Sequence, residues 1–196
     1  MRQLIGGVKK AMLWGVVLLT VAILSPASAQ TYEVDPVHSS VVFSVKHLGV
    51  GIVYGRFNRI SGTVVVNEKQ IEKSSVRLEI PADSIDTAVP DRDKHLMSPD
   101  FFNARQFRTI VFESKKIKRA GKDSFQVTGD LTLRGVTRSI TVTVQQVGQG
   151  KGMKGEMRRG FHTTFKIKRS DFGMTFMLNG VSDEVTVMVG IECIQK

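Results

Sequence analysis

Apolar and polar residues alternate with a period of two along much of this chain. In the stretch 40–46, Val41, Phe43 and Val45 share one parity, and the opposite parity is polar apart from Val42. A period of two places successive side chains on opposite faces of a β-strand. The stretch is therefore predicted to be a strand with one buried, apolar face.

The same pattern recurs along the chain and predicts an all-β fold with eight strands. They cover residues 38–47, 55–66, 74–82, 107–118, 124–134, 138–147, 158–168 and 183–194. One apolar face and one polar face per strand is typical of antiparallel sheets. Long strands on short turns favour a closed antiparallel β-barrel, which leaves no exposed sheet edge. A β-sandwich is the alternative, because alternation alone does not separate the two.

One segment, 82–106, interrupts the pattern between the third and fourth predicted strands. Pro90 and the acidic residues after it predict the start of a short helix, and Pro99 predicts its end. Long loops in compact domains are often lids or binding loops. The adjacent Phe101 and Phe102 either plug one end of the barrel or only cap its core.

Residues 1–29 have the layout of a secretory signal peptide. Positively charged residues precede an apolar run at 11–24, and Ala27-Ser28-Ala29 forms a small-residue cleavage site. The run is shorter than the roughly 20 residues that a membrane span needs, which disfavours an uncleaved anchor. Cleavage after Ala29 would leave residues 30–196 as one exported domain.

No catalytic or metal-binding pattern is found. The four histidines lack the spacing of metal ligands: His38, His47, His95 and His162. There is no Gly-x-Ser-x-Gly nucleophile motif, and a turn cap explains Asp35 beside His38 more simply than a proton relay does. Cys193 shares its parity with apolar residues, so a buried thiol is expected. We predict no catalytic residue, no metal and no cofactor, and a protein that is not an enzyme.

The chain is basic, with a formal net charge of +10. Lysine and arginine cluster at 115–122 and 151–159, around two predicted hairpin turns. Contact with an anionic membrane surface is one interpretation, and solubilising charge at hairpin tips is the simpler one. Nucleic acid is not an expected partner, because of the export signal and the lack of a reader motif.

Several short motifs occur in order along the chain. They are DPVHS at 35–39, FSVKHLG at 43–49, GRF at 55–57, RDKHL at 92–96, DFF at 100–102, GDLTLRGVT at 129–137, RSDFGM at 169–174 and VSDEV at 181–185. In this order they resemble the YceI-like, polyisoprenoid-binding proteins of bacterial periplasms, from about Tyr32 to Cys193. The chain departs from the family pattern at Phe107-Arg108-Thr109, where a proline is frequent, and in the glycine- and lysine-rich loop before Phe161.

The resemblance implies a lipocalin-like barrel that holds a long isoprenoid amphiphile, in a periplasmic protein that is often a homodimer. The expected function is binding, transport or storage of an isoprenoid lipid, either a polyprenyl or a quinone-like amphiphile. The alternatives are a stress-protective interaction module with a filled barrel and, less favoured, an enzyme acting on such a lipid.

An eight-stranded barrel can just hold one elongated ligand, and a barrel filled by its own side chains is also physically allowed. The candidate apolar ligand-binding residues are Phe43, Val45, Phe57, Phe101, Phe102, Phe112, Leu131, Phe165, Phe172 and Phe176. Arg92 and His95, beside the predicted helix, are the polar candidates for the mouth.

Overall fold

A computed structural model of the chain describes residues 29–196. The predicted signal peptide, 1–29, lies outside the described residues except for Ala29. The strands are β1 (Gln30–Val34), β2 (Ser40–His47), β3 (Gly51–Phe57), β4 (Ser61–Val66), β5 (Ser75–Pro81), β6 (Ile85–Asp86), β7 (Thr109–Arg119), β8 (Ser124–Leu133), β9 (Val136–Lys151), β10 (Met157–Lys168) and β11 (Val181–Gln195). One helix, α1 (Pro90–Leu96), and 3-10 turns at Ile71–Lys73, Ala82–Ser84 and Arg169–Phe172 complete the described part. Within residues 29–196, no helix has the length and hydrophobicity needed to cross a membrane.

Eight of these strands form a closed ring in the order β1-β4-β5-β7-β8-β9-β10-β11, and β11 pairs back with β1. The neighbouring strands are antiparallel throughout. β2, β3 and β6 continue the sheet from β11. The predicted eight-stranded antiparallel barrel is confirmed, and the sandwich is excluded because the hydrogen-bonded ring is unbroken.

The strand β1 was not predicted. It pairs with the same edge of β11 as β2 does, through Val34 with Cys193 and Val41 with Val189. β1 and β2 are therefore two halves of one interrupted strand. β1 has only five residues next to the predicted cleavage site, which is too short for a clear period of two.

The prediction of a single strand over 55–66 is wrong, because the chain bends between β3 and β4. The Asn58 N–H donates to the Ser84 carbonyl at 2.8 Å, and the Arg59 N–H donates to Ser84 Oγ at 3.3 Å. These bonds reach a turn more than twenty residues away in the chain. A local pattern does not reveal such a bend.

The predicted helix between the third and fourth predicted strands is present as α1, between β6 and β7. Pro90 occupies its first turn, where its fixed φ is favourable. The Asp93 side chain anchors the helix, since it accepts hydrogen bonds from the Thr87 N–H at 2.8 Å and the Thr87 hydroxyl at 2.5 Å.

The strand register defines two ends of the barrel. Val181 at the start of β11 pairs with His47 at the end of β2, and α1 lies at the same end, where the His95 ring contacts Phe176. The β7–β8 and β9–β10 turns lie at the opposite end, as the register of β8 to β11 shows. We call these the helix end and the hairpin end.

An ion-pair network at Asp35 stabilises the break between β1 and β2. One Asp35 oxygen accepts a hydrogen bond from the Val37 N–H at 3.0 Å. The other lies 2.8 Å from His38 Nδ1 and 2.9 Å from Arg158 Nη1. Arg158 also donates to Glu192 on β11 at 2.5 Å. Asp35 and His38 thus cap a turn, and Arg158 ties that turn to the barrel wall.

This network changes the acidity of Asp35. The hydrogen bond with His38, with further ones from Val37 and Arg158, lowers the pKa of Asp35 from 3.8 to about 2, although burial opposes the change. Because folding lowers this pKa, the ionised carboxylate stabilises the fold above pH 3.8, and that stabilisation is lost as the pH falls towards 2.

We expect Asp35→Asn to lower the free energy of unfolding by about 1.5–3 kcal/mol near neutral pH, the usual cost of losing hydrogen bonds to a charged group. In urea unfolding, the difference from the unsubstituted chain should shrink as the pH falls below 3.8. As a control, Glu33→Gln removes an exposed ion pair with Lys196 and should cost less than about 1 kcal/mol. A difference that stays constant down to pH 2 would contradict the role of this carboxylate.

Candidate functional site

The barrel encloses a cavity of about 680 Å³. Pockets for small molecules occupy roughly 300–1,000 Å³. The wall consists of the apolar residues that alternate along the strands. Examples are Val41, Phe43 and Val45 of β2 and Val187 and Val189 of β11. The interior is therefore hollow, and the filled barrel that the sequence also allowed is not the structure of this chain.

Two phenylalanine rings of the cavity wall lie against glycines of a neighbouring strand. A Cβ atom at Gly55 would lie 2.3 Å from Phe43 Cζ, and one at Gly129 would lie 2.7 Å from Phe112 Cζ. Each ring therefore covers the backbone of a neighbouring strand. A side chain at Gly55 would displace the Phe43 ring, and one at Gly129 would also clash with the Glu113 carbonyl oxygen, 2.5 Å from the Cβ position.

Most of the sequence-predicted ligand-binding residues lie together on this cavity. Those that line it are Phe43, Val45, Phe57, Arg92, His95, Phe101, Phe102, Phe112, Leu131 and Phe165. Phe172 is fully buried in the surrounding core instead. Phe176 lies outside the cavity at the helix end, with its ring 5.5 Å from that of Phe101. Phe172 ends a 3-10 turn and Phe176 lies in the loop after it, so a period of two does not define a face for either residue.

The polar candidates lie at the helix end of the cavity. Arg92 is held by Thr87, because its Nε donates to the hydroxyl and its Nη2 to the carbonyl, both at 2.7 Å. His95 Nε2 lies 2.9 Å from Asp100 Oδ2, and the ring packs edge-on against Phe101 at 5.1 Å. The helix and the residues after it thus bring a cation, an imidazole and an aromatic ring to the helix end of the cavity.

Arg169 is a cavity residue that the sequence analysis missed. Its side chain is almost fully buried and lines the cavity. It donates to the carbonyls of Ser182 at 3.0 Å, Met174 at 2.9 Å and Val181 at 2.9 Å. Burial lowers the pKa of Arg169, and nearby Asp183 partly offsets this. The RSDFGM motif contains this arginine, but no pattern in the sequence shows that it is buried.

A second buried guanidinium lies towards the hairpin end. Arg159 lines the cavity, donates to the Tyr32 hydroxyl at 2.8 Å and forms an ion pair with Glu68. Burial acts to lower the pKa of Arg159, but the hydrogen bonds to Glu68 and Tyr32 outweigh it and raise the pKa. The cavity is therefore apolar along its length and has a buried cation towards each end.

The carboxylate–histidine cluster at Asp35 and the thiol of Cys193 do not line the cavity, whereas His47, Glu68, Asp123 and His162 do. Among residues 29–196, Asp35, His38 and Glu192 could place ligand atoms within 4.8 Å of one another, but Arg158 already contacts both carboxylates. Cys193 is fully buried, as expected from its parity. Burial raises the pKa of its thiol to about 11, so it is a poor nucleophile near neutral pH.

A sequence model of the YceI-like domain matches residues 32–193. The chain belongs to the YceI-like domain family. A UPF0312 protein of Pseudomonas aeruginosa is 38% identical over 172 residues, which cover 87% of this chain and 90% of that protein. The family resemblance inferred from the short motifs is confirmed.

Solved structures share the barrel of this YceI-like chain. BcnA of Burkholderia cenocepacia matches with a TM-score of 0.74 at 25% identity, over 81% of this chain and 98% of BcnA. A polyisoprenoid binding domain from Saccharophagus degradans has the same fold, with a TM-score of 0.67 at 16% identity, over 85% of this chain and 99% of that domain. The lipocalin-like architecture expected from the sequence is confirmed.

The inward and outward faces of β10 can be tested with tryptophan, because the only tryptophan of the chain is Trp14. In residues 30–196 with Phe165→Trp, we expect weak quenching by acrylamide and strong quenching by an added long-chain quinone. Thr164→Trp, on the neighbouring exposed position, should show the reverse, because successive strand residues face opposite sides. Equal quenching of both variants by the quinone would contradict the assignment of the cavity wall.

Proposed function

We propose that the chain binds an isoprenoid lipid, a polyprenyl or quinone-like amphiphile, inside the barrel and carries or stores it in the periplasm. The observation that carries this proposal is the apolar cavity of about 680 Å³ with a buried guanidinium towards each end. Support comes from membership of the YceI-like family and from the shared fold of a domain described as polyisoprenoid binding.

The apolar wall can supply the affinity. Burial contributes about 0.8 kcal/mol per CH₂ group, so each five-carbon unit adds about 4 kcal/mol before ordering costs. A chain of isoprene units has no hydrogen-bonding groups and matches a wall of valine, leucine and phenylalanine side chains. Orientation then comes from the ends, where Arg92, Arg159 and Arg169 can donate to the oxygen atoms of a head group.

Binding is better supported than catalysis. The cavity wall is mainly apolar, and the guanidinium groups of Arg92, Arg159 and Arg169 are held by carbonyl or hydroxyl groups. The Asp35–His38 pair caps a turn away from the cavity, and the Cys193 thiol is buried. The interaction-module alternative with a filled barrel loses its structural basis, since the interior is hollow. Export through residues 1–29 and action in the periplasm are parts of the proposal.

Native mass spectrometry of residues 30–196, purified from a bacterial periplasm and extracted with organic solvent, tests the proposal. We expect an added mass that extracts as an isoprenoid lipid. A chain that stays free of lipid, even after incubation with quinones and polyprenyl phosphates, would overturn it. The same spectra report whether the chain is the homodimer that the family resemblance implies.

Phe43→Asp should reduce lipid retention at least about tenfold, because it places an ionised carboxylate on the apolar wall. Ser44→Asp is the matched control, because Ser44 is the next residue on β2 and does not line the cavity. It should retain lipid as the unsubstituted chain does. Val45→Trp, which narrows the cavity without adding charge, covers the case in which Phe43→Asp fails to fold. Full retention by folded Phe43→Asp and Val45→Trp would contradict binding in the cavity.

A further inference from the structure

The cavity wall carries positive charge at the helix end without a carboxylate beside it. Arg92 and Arg169 line the cavity there. In the described part of the chain, the acidic residues that line the cavity are Glu68 and Asp123. Asp123 lies in the β7–β8 turn at the hairpin end, and Glu68 forms the ion pair with Arg159. The wall is therefore charge-compensated at the hairpin end and not at the helix end.

The carboxylates near the helix end, which do not line the cavity, bond to other groups or face water. The bonded ones and their partners are Asp93 with Thr87, Asp100 with His95, Asp183 with Ser170 and Glu184 with Lys166. Asp91 and Asp171 are exposed. Asp183 acts on Arg169 only at a longer distance. Among the described residues, no carboxylate forms an ion pair with Arg92 or Arg169.

Arg169 is a buried cation without a contacting anion. Its side chain is only 3% exposed, and a guanidinium stays protonated in proteins. Three backbone carbonyls accept its hydrogen bonds, and its Cζ lies 6.0 Å from the centroid of the Phe101 ring. These dipoles orient the group but bring no net negative charge. Because buried charges are normally paired, the wall at this place is suited to a counter-ion that a ligand supplies.

Arg92 adds a second guanidinium whose orientation is fixed. Its Nε and Nη2 donate to Thr87, and its Nη1 has no acceptor among the described residues. His95, one helical turn later on α1, also lines the cavity, and its ring contacts Phe101, the same ring that Arg169 approaches. Donors on both arginines therefore remain for a ligand at one end of the cavity. A planar guanidinium matches the oxygen atoms of a phosphate group in pairs.

We propose that Arg92 and Arg169 form a subsite for an anionic head group at the helix end of the cavity, so that the preferred ligand is a polyprenyl phosphate and not a neutral quinone. A phosphate ester supplies the missing counter-ion, whereas the carbonyl oxygens of a quinone accept hydrogen bonds and leave the charge unpaired. The isoprenoid part of the ligand rests on the proposed function. The anionic part rests on the two arginines alone.

Displacement of the neutral dye N-phenyl-1-naphthylamine from lipid-free residues 30–196 compares geranylgeranyl phosphate with geranylgeraniol, which share one isoprenoid chain. We expect the phosphate to bind at least about tenfold more tightly, and Arg92→Gln or Arg169→Gln to remove most of that preference. Arg105→Gln is the matched control, because it removes the same charge from an exposed residue that does not line the cavity. It should change the ratio of the two affinities less than about twofold. A purely structural role for either cavity arginine would weaken both ligands alike and leave their ratio unchanged.

If Arg169→Gln fails to fold, Arg92→Gln carries the test. Equal affinity of the unsubstituted chain for the phosphate and the alcohol overturns the anionic subsite, and lipid binding stands. So does a preference that Arg159→Gln removes and Arg92→Gln keeps, because the head group then lies at the hairpin end. If neither isoprenoid displaces the dye, the proposed function fails. Dodecyl phosphate and dodecanol then test the subsite by itself, and a phosphate preference that Arg92→Gln removes keeps it, whereas equal or absent binding overturns it.

Discussion

Closure of the barrel depends on β11, which hydrogen-bonds to three other strands. One edge pairs with β10, and the other pairs first with β2 and then with β1. Because β1 also pairs with β4, the ring closes at the turn where β1 and β2 part. The guanidinium of Arg158 contacts the carboxylates of Asp35 and Glu192 at that turn. These ion pairs therefore lie at the place where the ring of strands closes.

A closed ring of eight strands sets the width of the interior, and the side chains decide whether it is filled. Here space remains because the rings of Phe43 and Phe112 lie over glycine backbones on neighbouring strands. The apolar wall favours a long hydrocarbon chain but cannot orient it. The buried guanidinium groups of Arg159 and Arg169 can, because they favour oxygen acceptors in an apolar surrounding. For a lipid of the proposed kind, affinity and orientation would therefore come from different parts of the cavity.

The two ends of the barrel differ in character, although both are built from turns between antiparallel strands. The hairpin end is basic and polar, as expected for turns in water. The helix end combines α1, the apolar β2–β3 turn and the uncharged loop 173–180, in which the Met174 carbonyl accepts a hydrogen bond from Arg169. Because the cavity reaches this loop through Met177, the apolar interior and the apolar exterior are continuous there. At the hairpin end the cavity reaches exposed charged residues instead, Arg119, Lys122 and Asp123, so the two ends of the cavity differ in polarity.

The alternation of residues by itself determined most of the strands and their inward faces, because a period of two is a local property, and the prolines at 90 and 99 indicated the helical insertion. Long strands on short turns favoured the antiparallel barrel over the sandwich, and the hydrogen-bonded ring of strands decided between them. The order of short motifs also determined the family. Only the tertiary structure decided the bend between β3 and β4, since it is held by hydrogen bonds to Ser84. It also decided that Arg169 is buried, that Phe172 and Phe176 do not line the cavity, and that the barrel is hollow. Each of these depends on contacts between residues distant in the chain, which no local pattern encodes.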